Sequence, residues 1–415
     1  NRTRSRKIEM KSCHLRGFIS VLFSVFLLIS CGSGGGGMTA GGGIGGTGII
    51  SSGTISAFGS IFVNGTEFDT SNAEIIVNGV ERSVDDLDIG RVVTVEGTLN
   101  GSDSDAVADR VFYTDNVKGP VEDVSVIDDT TKEIVVLGQI VFVNVITKFK
   151  ETTFDSIAID DVVEVSGYSD DTGAIRATFL GKIGDILKYE VTGFVANLNT
   201  GSKAFNINDL TVDYSSADTS ALPGNLPTDG LFVEVEGTLD ATGEMMIATK
   251  IELADELVGE DGDEIEIMGF VTEIISENDI IKFTIGNQEV HVDSDPKIVI
   301  YVDGDPSDIA PGQKLEAEGS LVDGVLIADE IEFWEPDQIE VEGIVTEVNL
   351  DIDPIEFTIT NQDGDQAVEA DTDTTTFEDV NPEDIAVDMK LEVKGVPVDI
   401  EQSVIKADKV SLEID

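Results

Sequence analysis

Residues that carry chemistry are scarce in this sequence. Its 415 residues include two cysteines, two histidines and one tryptophan. Cys13 and His14 lie in an N-terminal segment that reads as a cleaved leader, which leaves Cys31 and His291 in the mature chain. A single cysteine excludes a disulfide framework, so the cores must be stable unaided. One histidine and one cysteine cannot assemble the usual tetrahedral zinc site, and nucleophilic triads are equally out of reach. His291, in "EVHVDSD", falls on the solvent side of an alternating strand with Val290 and Val292 facing inward. Positive charge is also sparse, with 25 Lys+Arg against 82 Asp+Glu. Such a surface repels phosphate backbones and excludes nucleic acid as a partner. No phosphate-cradling loop appears, because "GGGIGGTG" lacks the helix and the lysine that would follow it.

Long apolar runs are limited to "GFISVLFSVFLLIS" at 17–30, preceded by Arg2, Arg4, Arg6, Lys7, Lys11 and Arg16. Its length is that of a signal-peptide core and short for a bilayer span. "MKSCHLRG" from Met10 is the more ordinary beginning, so the first nine residues read as an upstream extension. Leu28-Ile29-Ser30-Cys31 resembles the lipobox of bacterial lipoproteins, which implies cleavage before Cys31 and acylation of its thiol. Gly32 follows where an Asp would be the usual inner-membrane retention signal, so the expected destination is the outer membrane, facing periplasm or exterior. From Gly32 to Gly48, 11 of 17 residues are glycine, a flexible tether through which no helix continues. Removing residues 1–30 takes away six basic residues and one acid, leaving 19 Lys+Arg against 81 Asp+Glu, a net charge of −62.

The body is repetitive. "VVTVEG", "VVEVSG", "LFVEVEG", "KLEAEG" and "KLEVKG" end at Gly97, Gly167, Gly237, Gly319 and Gly395, spaced by 70, 70, 82 and 76 residues. Four and two residues before each glycine the side chain is apolar, and three and one before it the side chain is polar. This period of two predicts a half-buried strand with one dry and one wet face. Seven residues before it stand Gly90, Asp160, Gly230, Gly312 and Asp388, which tolerate a left-handed turn. Ten before it come Leu87, Ile157, Ile309 and Ile385, with Pro227 beside Leu226 in the third copy. A second signature follows each glycine: "ADRV", "ATFL", "ATKI", "ADEI" and "ADKV", the partner strand of a hairpin. Each unit opens on a glycine in an alternating run (Gly53, Gly119, Gly193, Gly269, Gly343), and "VNG" at 63–65 and 77–79 marks tight turns.

About five short strands in roughly 65–75 residues suit a small closed barrel better than an immunoglobulin sandwich. The predicted fold is all-β, a tandem array of about five five-stranded OB-like barrels. The predicted organisation is 1–30 signal peptide, 31–48 lipidated cysteine and tether, then repeats at 49–115, 116–186, 187–255, 256–335 and 336–415. The pattern resembles the uncharacterised bacterial repeat family catalogued as domain of unknown function number five-six-six-six. Gly53-Thr54-Ile55, Phe62-Val63-Asn64-Gly65, Asp86-Leu87-Asp88-Ile89-Gly90 and Ala108-Asp109-Arg110-Val111 carry the resemblance best. It implies an OB-like barrel and no assigned activity.

Oxygen ligands are plentiful. Acidic loops at "GEDGDE", "YVDGDPSD", "DIDP", "NQDGDQ" and "EADTDT" read either as turn chemistry or as weak Ca²⁺ sites, and none fits an EF-hand. The candidate ligands are Asp261, Asp263, Asp303, Asp305, Asp363 and Asp365. No other cofactor and no catalytic residue is expected. Trp334, in "EFWEPDQ", reads as packing between the fourth and fifth units and alternatively as a sugar-stacking platform. These readings converge on a non-catalytic, lipid-anchored repeat protein: an elongated acidic rod serving as spacer, scaffold or adhesin-like module. The alternatives are a glycan- or Ca²⁺-binding envelope protein and, more remotely, a carboxylate-dependent hydrolase.

Overall fold

A computed structural model describes residues 48–58, 60–102, 105–254, 259, 261–277, 280–361 and 364–412. The leader, Cys31, most of the tether and Asp363 lie outside the described residues. The chain divides into Asn1–Gly41 and Gly42–Asp415, and every described residue belongs to the second unit.

The first repeat shows the plan. Its opening strand Gly48–Ala57 pairs antiparallel with Ile61–Val63, which pairs antiparallel with Thr66–Asp69. Thr66–Asp69 then runs parallel to Asp105–Tyr113. That strand pairs antiparallel with Val92–Ser102, which returns antiparallel to the opening strand and closes the ring. The same circuit recurs in the second repeat, opened by Val117–Val126, and in the fourth and fifth, opened by Glu264–Glu277 and Ile339–Asn349. In the third, the opening strand is broken at Val195 into Tyr189–Phe194 and Ala196–Asn199. The described residues are therefore all-β, with short 3-10 turns and no α-helix. Closure leaves few free strand edges, which suits a chain this rich in Val and Ile.

Local chemistry explains the recurring phrase. At each closing glycine the hairpin register slips by one residue, between Glu96/Gly97, Ser166/Gly167, Glu236/Gly237, Glu318/Gly319 and Lys394/Gly395. A Cβ there would sit 2.5, 2.1, 2.5, 2.1 and 2.3 Å from a carbonyl oxygen of the partner strand. Only glycine allows that approach within a bulge. The turn positions Gly90, Asp160, Gly230, Gly312 and Asp388 have φ of 91°, 71°, 83°, 85° and 74°. Asn64-Gly65 and Asn78-Gly79 also have positive φ throughout, as a two-residue hairpin of this hand requires.

The apolar residues two and four before each closing glycine are buried in all five barrels. Burying such a Val or Leu is worth about 1.5–3 kcal/mol. Ten residues before that glycine, Leu87, Ile157, Ile309 and Ile385 are buried as expected, but in the third repeat Leu226 is exposed and Pro227 and Leu222 fill the place.

Two expectations need correction. The polar positions one and three before the glycine are not a wet face: none of the ten is exposed, and Ser166 and Lys394 are buried. Several meet a neighbouring repeat: Glu164 pairs with Arg91, Ser166 Oγ accepts from the Val92 amide, and Lys394 pairs with Glu332. Nor are the barrels strung as a rod. Ile49–Ser52 of the first repeat pairs parallel with Glu264–Ile267 of the fourth, making one sheet of two distant repeats. Val117 and Lys118 of the second pair with Val191 and Glu190 of the third, and these two repeats share one apolar core. The second repeat is also tied to the fifth, where Gln402 Nε2 donates to Val145 O at 2.6 Å. An alternating pattern shows which side chains share a face but not what will cover it.

Candidate functional site

Of the six aspartates singled out as Ca²⁺ ligands, Asp363 lies outside the described residues and the other five do not converge. Asp261 accepts a hydrogen bond from the Asp323 amide at 2.8 Å, and Asp365 accepts from Thr360 Oγ1 at 2.6 Å. Asp305 caps a 3-10 turn, its amide donating to Asp308 Oδ2 at 2.9 Å. Asp263 lies beside Gly48, and Asp303 pairs with Lys394 at 3.3 Å. Two other acidic loops do meet. Asp353 of "DIDP" and Asp371 and Asp373 of "EADTDT" bring carboxylate oxygens within 4.8 Å of one another in the fifth repeat. Thr372 donates to Asp353 Oδ1 from both N and Oγ1 at 3.2 Å, and the Asp373 amide donates to Asp371 Oδ1 at 2.9 Å. An all-oxygen donor set of this kind fits a hard cation such as Ca²⁺.

His291 is half-buried, not exposed, with Nε2 2.6 Å from Glu289 Oε1, while Val290 and Val292 are buried inward as the alternation predicts.

The most constructed environment is the junction of the fourth and fifth repeats. Trp334 ends the strand Val325–Trp334 and is 5 % exposed. It is buried in the junction and offers no open face for stacking. Lys394, on Lys390–Pro397, is 2 % exposed, and its Nζ lies 4.0 Å from the centroid of the indole. That ammonium donates to Glu332 Oε1 at 2.8 Å, Phe333 O at 3.1 Å and Asp303 Oδ2 at 3.3 Å. Lys314 is also buried; its Nζ donates to Gln338 O at 3.1 Å and lies 5.2 Å from the same ring. Burial pushes the Lys314 ammonium down to about 8. Asp303, Phe333, Trp334, Gln338 and Lys394 help wall a cleft of about 680 Å³ that also takes in Asp408 and Lys409. Lys409 stands directly opposite Lys394 in the strand register and pairs with Glu378 at 3.0 Å.

Lys394 was not singled out from sequence. The available signal was that it alone puts a cation one residue before a closing glycine, where Glu96, Ser166, Glu236 and Glu318 stand elsewhere.

Beside this cleft runs a ladder of carboxylates. Glu266 lies opposite Glu318, Glu318 opposite Glu330, Glu316 opposite Glu332, and Glu342 opposite Glu392. Like charges directly opposite are destabilising. Burial, reinforced by neighbouring carboxylates, pushes Glu266 up to about 8 and Glu318 up to about 7. Glu316 and Glu340 are raised well above the usual carboxylate range for the same reasons. Ser51 of the first repeat donates to Glu266 Oε2 at 2.9 Å, so the ladder also underlies the contact between first and fourth repeats.

No curated protein matches the chain. Among solved structures, a chain titled "drosophila Unr CSD456" aligns at 13 % identity over 55 % of this chain and 98 % of that one, with a TM-score of 0.14. A superposition that poor says nothing of function. A family model does match, at residues 47–111, 118–180, 192–252, 268–332 and 339–411, the same spans that fold into the five barrels. The chain therefore belongs to the family described as Domain of unknown function (DUF5666), of which it carries five tandem copies.

Proposed function

We propose that this protein is a non-catalytic scaffold of the bacterial cell envelope, held to the outer membrane by acylated Cys31 and presenting its five barrels as one stiff block. The observation that supports the reading best is lateral: the Ile49–Ser52 strand of the first repeat adds to the Glu264–Ile267 strand of the fourth. Backbone pairing between repeats so distant in sequence resists bending in a way that a string of independent barrels does not. The −62 charge left after loss of residues 1–30 keeps such a block soluble in a salty exterior and directs it toward protein or glycan partners and away from nucleic acid. Anchoring by two or more acyl chains is durable, since each buried methylene adds about 0.8 kcal/mol.

Two measurements test this. Metabolic labelling with an alkynyl fatty acid should mark the wild type and not Cys31→Ser, with the label in the outer-membrane fraction. Small-angle scattering of residues 42–415 should give a compact envelope, and a rod of five barrel lengths would refute the stiff-block reading.

Ca²⁺ binding is a second reading, supported by the Asp353, Asp371 and Asp373 cluster.

A further inference from the structure

Ile49 and Ile50 are neighbours in the chain but serve different barrels. Ile49 packs in the core of the first repeat and Ile50 in that of the fourth. The split follows from the seam they form, in which Ile49, Ile50, Ser51 and Ser52 lie parallel to Glu264, Ile265, Glu266 and Ile267. Four residue pairs make a short join between two closed barrels, and a join of this size opens locally at lower cost than either barrel unfolds.

The polar side of the seam is carboxylic. Ser51, fully buried, donates to Glu266 Oε2 at 2.9 Å. Glu318 stands directly opposite Glu266 on the next strand, Glu264 is two residues away on the same strand, and Glu316 and Glu340 act on Glu266 from either side. Glu318 in turn faces Glu330, with Asp329 beside it. From the first repeat, Glu96 stands opposite Ile50, and from the second, Tyr168 lies near Glu316 with its hydroxyl 2.8 Å from Thr54 Oγ1. The neighbouring cations are already engaged, Arg110 by Glu96 and Lys394 by Glu332 and Asp303. Burial among these acids holds Glu266 at about 8 and Glu318 at about 7. Once ionised, the two repel directly across the strands. Opening the seam returns Glu266 to water and to its ordinary value of 4.5. The closed seam therefore binds protons that the open one releases. Its proton-linked stability is complete below about 4.5 and is lost as pH rises through 7 to 8.

We propose that the Ile49–Ser52 seam is a proton-operated latch, closed while Glu266 and Glu318 are neutral and releasing the first repeat from the fourth once both ionise. The first repeat then stays tied to the second through Arg91 and Glu164. This deepens the stiff-block reading and rests on it, since the block is what the latch loosens.

Hydrogen–deuterium exchange followed by mass spectrometry tests it on residues 42–415, which form one compact unit. Rates are taken at pH 5.5, 7 and 8.5 and divided by the intrinsic chemical rate at each pH. Protection at 49–52 and 264–267 should fall by about a hundredfold between pH 5.5 and 8.5. The third repeat's hairpin, Phe232–Leu239 with Met245–Leu253, should keep its protection over the same range. Glu266→Gln should remove most of the fall at the seam, and Glu318→Gln serves if that variant does not fold. Protection at the seam that ignores pH would overturn the proposal. A fall of equal size in the third repeat, or one undiminished in both variants, would overturn it as well. Scattering on the same samples separates the two readings: a rod at every pH refutes the stiff block, whereas a compact envelope with a pH-indifferent seam refutes the latch alone.

Discussion

Arg91 of the first repeat reaches Glu164 of the second, Nη2 to Oε1 at 2.6 Å, with both side chains largely removed from solvent. The guanidinium lies 4.4 Å from the Tyr113 ring of its own repeat and 4.5 Å from the Phe179 ring of the next. It also pairs with Asp88 at 3.1 Å and approaches Asp115 at 3.9 Å. One cation therefore serves carboxylates and aromatic faces from two barrels.

Arg91→Ala should lower stability by about 3–5 kcal/mol, because it strands buried carboxylates beyond removing an attraction. Arg91→Lys should rescue only part, since an ammonium cannot fork or stack as a guanidinium does. Urea unfolding followed by circular dichroism reads both. A loss below about 1 kcal/mol would mark the pair as no more than a surface contact.

Gly237→Ala places a methyl 2.5 Å from Ile247 O in the closing bulge. The strand must shift to make room, at about 1–3 kcal/mol. Gly184, exposed with nothing within 4 Å of its would-be Cβ, is the control. Its alanine variant should be neutral or stabilising by up to about 1 kcal/mol. Comparable losses at both positions would dismiss the bulge explanation.

Stability should fall as pH rises from about 4.5 to about 8. Carboxyl groups held above their ordinary value in the folded chain, such as Glu266 at about 8 and Glu318 at about 7, bind protons preferentially in that state. Their contribution is complete below the unfolded value near 4.5 and disappears as pH passes the folded values. Glu266→Gln and Glu318→Gln, each neutral at all pH, should flatten a melting-temperature profile taken between pH 5 and 8.5. A profile identical to wild type in both variants would remove the ladder from the explanation.

Millimolar Ca²⁺ should raise the melting temperature more than equal Mg²⁺, and a chelator should reverse the effect. At a hundredfold excess over the dissociation constant the gain is about 2.7 kcal/mol. Asp371→Asn should abolish it while Asp261→Asn leaves it intact, since only Asp371 joins Asp353 and Asp373. The reverse order of effects would restore the "GEDGDE" loop as the site.

Most of the barrel was legible before any fold was seen, because its signals are local. The alternation around Val233 and Val235, the turn at Gly230 and the bulge at Gly237 each depend on a few residues' own backbone geometry. His291 shows where local reading stops: Val290 and Val292 were placed inward correctly, but Glu289 holds the ring half-buried at 2.6 Å. The acidic loops show it more sharply. "DIDP" and "EADTDT" were visible as loops, yet only the register between Ile355–Asn361 and Gly364–Ala370 brings their ends together.

By itself, then, the sequence determined the repeat, its strands, its turns and its membership of a family, since period-two burial and positive φ are properties of short segments. The tertiary structure decided that the first repeat joins the fourth, that Lys394 packs against Trp334 and that Glu316 faces Glu332 across a half-buried sheet. Those outcomes turn on which polar faces meet across long sequence separations, and an alternating pattern is the same whichever neighbour covers it.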